Sequence, residues 1–323
     1  MKNLKEICNI NILNSLHSLL EASILDINDT LNNDYPVIVK AITDFINEKY
    51  NCYGGSIKIS KTPNAAGKYE VSARDVKVKD TSITSLTNDV FVWLNVDYFD
   101  CSDCENLQSL EGGPRSVKFT FNCKKCNSLK DLTGAPDKVG IRFCCSDCKN
   151  LQSLNGCPQK IGKAGIRDTG FFASGCTSLT SLKGMPEKVI GDMYIYNCSS
   201  LTSLEGAPAV VVGSFDCSNC SSLTSLEGAP TKVGYKSASL GTPVKFDCSN
   251  CENLKSLKGS PKTIIGDFDF SGCQNITKYD ATTKKVDGDV YGYNCGVLLN
   301  KDDIHDTTKV EFMAYVKSKY NWK

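Results

Sequence analysis

Large apolar residues recur along two thirds of this chain at fixed distances from a repeated cysteine. That cysteine marks each copy, and the markers are Cys104, Cys126, Cys148, Cys176, Cys198, Cys220, Cys251, Cys273 and Cys295. Successive markers lie 22, 22, 28, 22, 22, 31, 22 and 22 residues apart. A period between about 20 and 50 residues is typical of solenoids, in which each coil buries its apolar face against its neighbours. The two long steps keep the period and add an insert, around Lys163 to Gly170 and Tyr235 to Pro243.

The apolar positions form columns through the copies. Five residues before the marker stand Phe99, Phe121, Phe143, Phe171, Met193, Phe215, Phe246, Phe268 and Val290. Three residues after it stand Leu107, Leu129, Leu151, Leu179, Leu201, Leu223, Leu254, Ile276 and Leu298, and a second leucine column follows three residues later. Thirteen residues after the marker stand Val117, Val139, Ile161, Val189, Val211, Val233, Ile264 and Val286. With Asn, Asp or Gly usually before the marker and a Gly-x-Pro turn after the leucines, each coil is predicted to be short strands separated by tight turns.

The repeat also resembles a known class. The segment GCTSLTSLKGMPEKV, from Gly175 to Val189, resembles the BspA-like leucine-rich repeats, and the CSxC and SLEGAP variants look like Cys-rich repeat proteins of gut bacteria and their phages. The stretch ASILDINDTLNNDY, from Ala22 to Tyr35, looks like a leader found on phage proteins. The resemblance covers about residues 83 to 298 and implies a protein-binding or surface scaffold with no fixed ligand.

The predicted fold is therefore a mainly β repeat solenoid, leucine-rich-repeat-like, with 22-residue coils. Four parts are expected: an N-terminal helical segment at 1–35, an α+β cap at 36–98, nine coils at 99–299 and a C-terminal helical cap at 300–323. A second helix is predicted to begin near Pro36, after a solvated turn over 26–34, and the strands SIKIS, YEVSA and DVKVK follow it. In the last part, Thr308 and Glu311 form a capping box.

The cysteine-rich coils allow two interpretations. The column three residues before the marker holds Cys in five coils but Ala173, Ile195, Phe270 or Gly292 in others, which is typical of a packing position. Both cysteine columns are therefore predicted to be reduced, buried thiols. The alternative is a zinc-stabilised or redox-sensitive scaffold, in which neighbouring coils supply four thiolates. The example ligand set is Cys101, Cys104, Cys123 and Cys126.

Composition excludes several function classes. The formal net charge is +1, which gives no reason to expect a nucleic-acid partner. No run of 18 apolar residues predicts a membrane span, and Asn9, Asn11 and Asn14 interrupt any signal-peptide core. The protein is expected in the cytoplasm of its producing cell, or alternatively in a virion.

Catalysis is not expected. The chain has two histidines, His17 and His305, and both lie outside the repeats. No P-loop, GxGxxG, GxSxG or HExxH motif is present. Repeat columns present one kind of group many times, whereas an active site needs dissimilar groups in one place. No cofactor and no catalytic residue are predicted.

Binding or assembly is the positive hypothesis. Side chains that follow the leucines vary while the core columns stay fixed, as in Gln108, Lys130, Thr180, Glu205 and Glu227, and solenoids use such surfaces for partners. The predicted anchors are the aromatic residues Phe172, Tyr194, Tyr196, Tyr291 and Tyr293, because Tyr is enriched at binding hot spots. The partner is expected to be a protein, with a homo-oligomer or particle assembly as further options. A structural or accessory component of a phage particle is the alternative function.

Overall fold

The computed structural model describes residues 27–295, except 56, 167, 236–243 and 277–278, and describes side chains from residue 35 onward. Within these residues one helix, α1 (Ile27–Lys49), precedes the strands. The strands are β1 (Tyr50–Tyr53), β2 (Lys58–Ile59), β3 (Tyr69–Val78), β4 (Phe91–Asp100), β5 (Ser116–Asn122), β6 (Lys138–Val139), β7 (Arg142–Cys144), β8 (Lys160–Ile161), β9 (Gly170–Phe172), β10 (Lys188–Val189), β11 (Asp192–Tyr194), β12 (Val210–Val211), β13 (Phe215–Asp216), β14 (Lys232–Val233), β15 (Lys245–Asp247), β16 (Thr263–Ile264), β17 (Asp267–Asp269), β18 (Lys285–Val286) and β19 (Val290–Tyr291).

The strands from β3 to β19 form a parallel solenoid of about ten coils. Strand β5 pairs with both β6 and β7, and each later coil contributes two short strands to the same sheet. The register joins each Phe-column residue to the next, as in Phe121 with Phe143 and Phe246 with Phe268. The Val column pairs in the same way. The predicted solenoid and its columns are therefore confirmed.

Stacked aromatic rings run along the core. The rings of Phe121 and Phe143 have centroids 5.4 Å apart and planes 3° apart, and Phe143 and Phe171 continue the stack at 5.8 Å. Met193 takes the place of a Phe in the next coil and interrupts the ring stack, which resumes at Phe215. The described leucines of both columns are fully buried, but they lie in turns and contribute no strand. The Leu107 amide, for example, donates to the Cys104 carbonyl at 3.0 Å.

The residue before each marker adopts a left-handed backbone conformation. Its φ is 60° at Asp103, 59° at Asn197 and 73° at Gly175. Asn, Asp and Gly tolerate this conformation better than other residues, which explains their recurrence in this column.

The N-terminal region differs from the sequence prediction in two places. The two predicted strands YEVSA and DVKVK form a single strand, β3. This strand already belongs to the parallel stack, because Val76 pairs in parallel with Phe99. The turn predicted before Pro36 is wrong over residues 27–34, since α1 is helical throughout Ile27–Lys49 and contains Pro36. Proline fixes φ near the helical value, but inside a helix it removes one hydrogen bond and its ring crowds the carbonyl four residues earlier.

Helix α1 and strand β1 cover the first coils. Ile42, Ile46 and Tyr50 are buried, as their spacing predicts, and the Tyr50 ring meets the Trp93 ring edge-on at 5.3 Å. Strands β1 and β2 pair antiparallel with β3. The predicted helices at 1–26 and 300–323 lie outside the described residues.

The marker cysteines form a ladder of hydrogen bonds between coils. From the second marker on, each marker thiol donates to the backbone carbonyl of the residue three positions before the preceding marker. Cys126 donates to the Cys101 carbonyl at 3.1 Å, Cys148 to Cys123 at 3.2 Å and Cys198 to Ala173 at 3.3 Å. The acceptor is a backbone group, so its own side chain is free to vary. This explains why the marker is always Cys while the other column also accepts Ala, Ile and Phe.

Cys148→Ala is expected to lower the free energy of unfolding by about 1 kcal/mol more than Cys145→Ala, because it removes a hydrogen bond as well as the thiol's packing. Both side chains are fully buried and lose the same atoms, and the Cys145 column already accepts Ala173. Urea unfolding followed by circular dichroism measures the difference. Equal losses in the two variants would show that the thiol ladder contributes no stability.

Candidate functional site

Three of the predicted aromatic anchors meet on the outward face of the sheet. Phe172 ends β9, Tyr194 ends β11 in the next coil, and Tyr196 follows two residues later. The rings of Phe172 and Tyr194 meet edge-on at 5.2 Å, and those of Tyr194 and Tyr196 are 6.4 Å apart. We call these three residues the aromatic cluster. Phe172 and Tyr194 are half-buried, while Tyr196 is 38% exposed and presents the most open ring.

Asp192 holds the orientation of Tyr194 in the aromatic cluster. The Tyr194 hydroxyl donates to the Asp192 carboxylate at 3.3 Å. Burial raises the pKa of Tyr194, and the neighbouring Asp192 charge adds to this shift. Burial likewise raises the pKa of Asp192 from its ordinary value. The hydroxyl therefore remains a donor, which keeps the ring facing Phe172 and Tyr196.

The Tyr194 column continues into a row of carboxylates. The register places Asp216, Asp247 and Asp269 in successive coils after Tyr194. The serine two residues later donates its backbone amide to each carboxylate at 2.9 Å. Burial raises the pKa of Asp216 and Asp269. These bonds fix the turn after the strand, which gives the row a structural role.

Tyr291 and Tyr293 form a second, separate pair. Their ring centroids are 6.1 Å apart, and the Tyr291 hydroxyl donates to Asp289 at 3.3 Å, as Tyr194 does to Asp192. Tyr291 follows Asp269 in the same column, so it lies four coils beyond Tyr194. The structure therefore divides the five predicted anchors into two groups.

A groove beside the aromatic cluster was not predicted from the sequence. It has a volume of about 150 Å³, and its lining includes Phe172 and Tyr196 together with Lys124, Arg142, Ser146 and Asp147. The Arg142 guanidinium lies over the Phe172 ring, with its central carbon 4.7 Å from the ring centroid. Arg142 occupies an outward position two residues before Cys144, where other coils carry Thr120 or Asp192. The sequence prediction selected only the aromatic residues near these outward strand positions and did not include Arg142.

The positions after the leucines are exposed, as predicted. They lie on the turn side of the coil and carry surface ion pairs such as Lys183 with Glu205 at 3.1 Å. The end of the first insert is anchored to the sheet, because the buried Thr169 donates its hydroxyl to the Ile141 carbonyl at 2.8 Å. The second insert from residue 236 on lies outside the described residues, and so do both histidines.

The four cysteines of the zinc alternative are buried, and the Cys126 thiol is directed at the Cys101 carbonyl. Burial raises the pKa of Cys104 to about 12 and that of Cys123 well above its usual value, which disfavours the thiolates that zinc requires. Across the residues that the structure describes, no group of three or more His, Cys, Asp or Glu side chains is arranged to hold a metal ion. No cysteine in this part of the chain forms a disulfide.

No family model matches this chain, and no curated protein or solved structure matches it either. Within the described ranges, no helix is both long and apolar enough to cross a bilayer.

Proposed function

We propose that this chain is a leucine-rich-repeat-like scaffold that binds a protein partner through the outward face of its parallel sheet and catalyses no reaction. The observation that carries the proposal is the aromatic cluster. Phe172, Tyr194 and Tyr196 lie midway along the stack, on the face that the core does not use. Tyrosine and phenylalanine supply large contact areas at a small cost in conformational entropy, which suits an interface centre.

The rigidity of the surrounding sheet supports this proposal. Tyr194 is held by Asp192, by the Phe172 ring and by the parallel pairing of β11 with β9 and β13. A surface that is already ordered loses little freedom when a partner binds. We extend the proposal to the segment 300–323, whose sequence pattern fits a helical cap on the last coil.

Replacing Tyr196 with the photo-crosslinking residue p-benzoylphenylalanine tests this function in the producing cell. Illumination is expected to give a discrete protein adduct, because Tyr196 is the most exposed ring of the aromatic cluster. The matched control is the same replacement of Tyr53, which is 57% exposed but lies in β1, away from the cluster. Mass spectrometry of the adduct separates a different protein from a second copy of this chain.

The contrast between the two positions decides the result. An adduct at Tyr196 without a matching adduct at Tyr53 supports partner binding at the aromatic cluster. The absence of an adduct at Tyr196, or equal adducts at both positions, would contradict it.

A further inference from the structure

We propose that the groove beside the aromatic cluster binds a carboxylate through the guanidinium of Arg142, and that an acidic side chain of the protein partner supplies it. This inference rests on the proposed function for the source of the carboxylate. The existence of the anion site itself depends on the groove alone.

Arg142 is already held in place before any ligand binds. Its Nε donates to the Asp168 carbonyl at 3.2 Å, and its guanidinium lies over Phe172 with a distance of 4.7 Å to the ring centroid. Phe172 is in turn fixed by the Tyr194 ring at 5.2 Å. An arginine constrained on two sides loses little side-chain entropy on binding, so its remaining donors are preorganised.

The end of the guanidinium remains available. Among the described residues, Arg142 forms no ion pair, and its hydrogen bond to the Asp168 carbonyl uses Nε. The two terminal nitrogens can therefore donate in parallel to one planar acceptor. A carboxylate matches this pair of donors with two parallel hydrogen bonds, which is the strongest arrangement that arginine offers.

The charge of the groove favours a single negative charge. Lys124 is the second cation of the lining, but its Nζ lies 3.3 Å from the Asp147 carboxylate. With Lys124 paired in this way, Arg142 is the one cation among the lining residues that no lining carboxylate balances. A second negative charge on the ligand would meet Asp147, so a carboxylate fits better than a phosphate dianion.

The size and position of the groove favour a side chain over a larger free acid. A volume of about 150 Å³ holds a carboxylate and its adjoining methylene groups. Tyr196 also lines the groove, so the main chain that follows such a side chain would continue across the aromatic cluster. Carboxylate recognition and the proposed interface would then be parts of one contact.

The test follows the Arg142 side-chain NH signal by NMR during titration of the full-length protein. The probes are sodium acetate, a capped glutamate (N-acetyl-glutamate amide) and inorganic phosphate, at constant ionic strength. Acetate and capped glutamate are expected to shift the Arg142 signal with saturation, and phosphate is expected to bind no more tightly than acetate. Capped glutamate is expected to bind about threefold or more tighter than acetate, because its amide groups reach Tyr196.

Three variants make the test specific. Arg142→Gln is expected to abolish saturable acetate binding, as measured by shifts of the neighbouring backbone amides, and Arg142→Lys to weaken it about tenfold, because lysine keeps the charge but lacks the paired donors. The control is Lys138→Gln, which removes one exposed charge from the same coil without touching the groove lining and is expected to leave the affinity within twofold. Backbone NMR spectra confirm that each variant is folded.

Several outcomes would overturn the inference. These are linear, unsaturable shifts in the native protein, equal loss in Lys138→Gln and Arg142→Gln, or phosphate binding more than tenfold tighter than acetate. Acetate binding at least as tight as that of capped glutamate would overturn the assignment to a protein side chain. Because these titrations need no partner, their failure is distinct from a failure of the crosslinking test, which concerns the scaffold function.

Discussion

Replacing Gly134 with alanine is expected to lower the free energy of unfolding by about 4 kcal/mol in total, mainly because neighbouring coils approach too closely here for a side chain. A Cβ on Gly134 would lie 2.1 Å from the Glu111 amide nitrogen and 2.5 Å from the Leu110 carbonyl carbon. Both contacts are with backbone atoms, so the coils would have to separate. The Leu110 amide donates to the Thr133 carbonyl at 3.0 Å beside this contact, and separation would also weaken that bond.

Backbone strain adds to the steric effect at Gly134. Its φ is 86°, a conformation that costs an alanine about 1 kcal/mol or more. Gly67→Ala isolates this contribution, since Gly67 has a similar φ of 75° but open space around it. Denaturant unfolding of both variants is expected to give a loss of about 1 kcal/mol for Gly67→Ala and a loss at least 2 kcal/mol larger for Gly134→Ala. Similar losses of unfolding free energy in the two variants would mean that the close approach of the coils at Gly134 adds no destabilisation.

The folded protein is expected to unfold cooperatively between about pH 9 and pH 11, because its buried thiols cannot ionise in place. Burial raises the pKa of Cys104 and Cys251 to about 12, whereas an exposed thiol in the unfolded chain has a pKa of about 8.5. Above pH 8.5 the unfolded chain therefore binds fewer protons than the folded chain. Stability is complete below that pH and falls as the pH rises toward 12.

The size of this effect follows from the number of thiols. Each buried thiol lowers the free energy of unfolding by about 1.4 kcal/mol per pH unit, so Cys104 and Cys251 together give about 3 kcal/mol per unit. Burial also raises the pKa of Cys217 and Cys248, which act in the same direction. A domain stability of about 5 to 15 kcal/mol is exhausted within a few pH units.

Urea unfolding under reducing conditions at pH 8, 9 and 10 measures the slope. Cys104→Ala is the matched variant, and its slope is expected to be shallower by about 1.4 kcal/mol per pH unit, whatever its stability at pH 8. The slope, and not the absolute stability, is the informative quantity, since the substitution also changes packing. Identical slopes would show that Cys104 ionises equally in both states.

The repeat core was predictable because each repeat of the sequence forms one coil, and the strand register pairs equivalent residues of neighbouring repeats. Phe121 and Phe143 are one period apart and pair directly across neighbouring coils. Strand β3 was not recognised as part of the parallel stack, because no marker cysteine stands five residues after Val76, as it does after each residue of the Phe column. The helical conformation of residues 27–34 was missed because the polar run before Pro36 has the composition of a turn.

The candidate site was predictable only where it follows the repeat. Phe172, Tyr194 and Tyr196 alternate with buried core positions, so their outward direction could be inferred from the columns. Arg142 could not be found in this way. Its significance depends on the Phe172 ring and on the Asp168 carbonyl of an insert, and neither contact has a counterpart in the repeat pattern.

The regular pairing of the coils fixes the distances between side chains on the outward face. Tyr194 and Tyr291 share one column and are separated by four steps of the parallel sheet, each of about 4.8 Å, which gives roughly 19 Å between them. An extended peptide advances about 3.3 Å per residue, so roughly six residues are needed to reach from one tyrosine to the other. A shorter segment can engage one aromatic group at a time, and the number of coils between the two groups sets that minimum length.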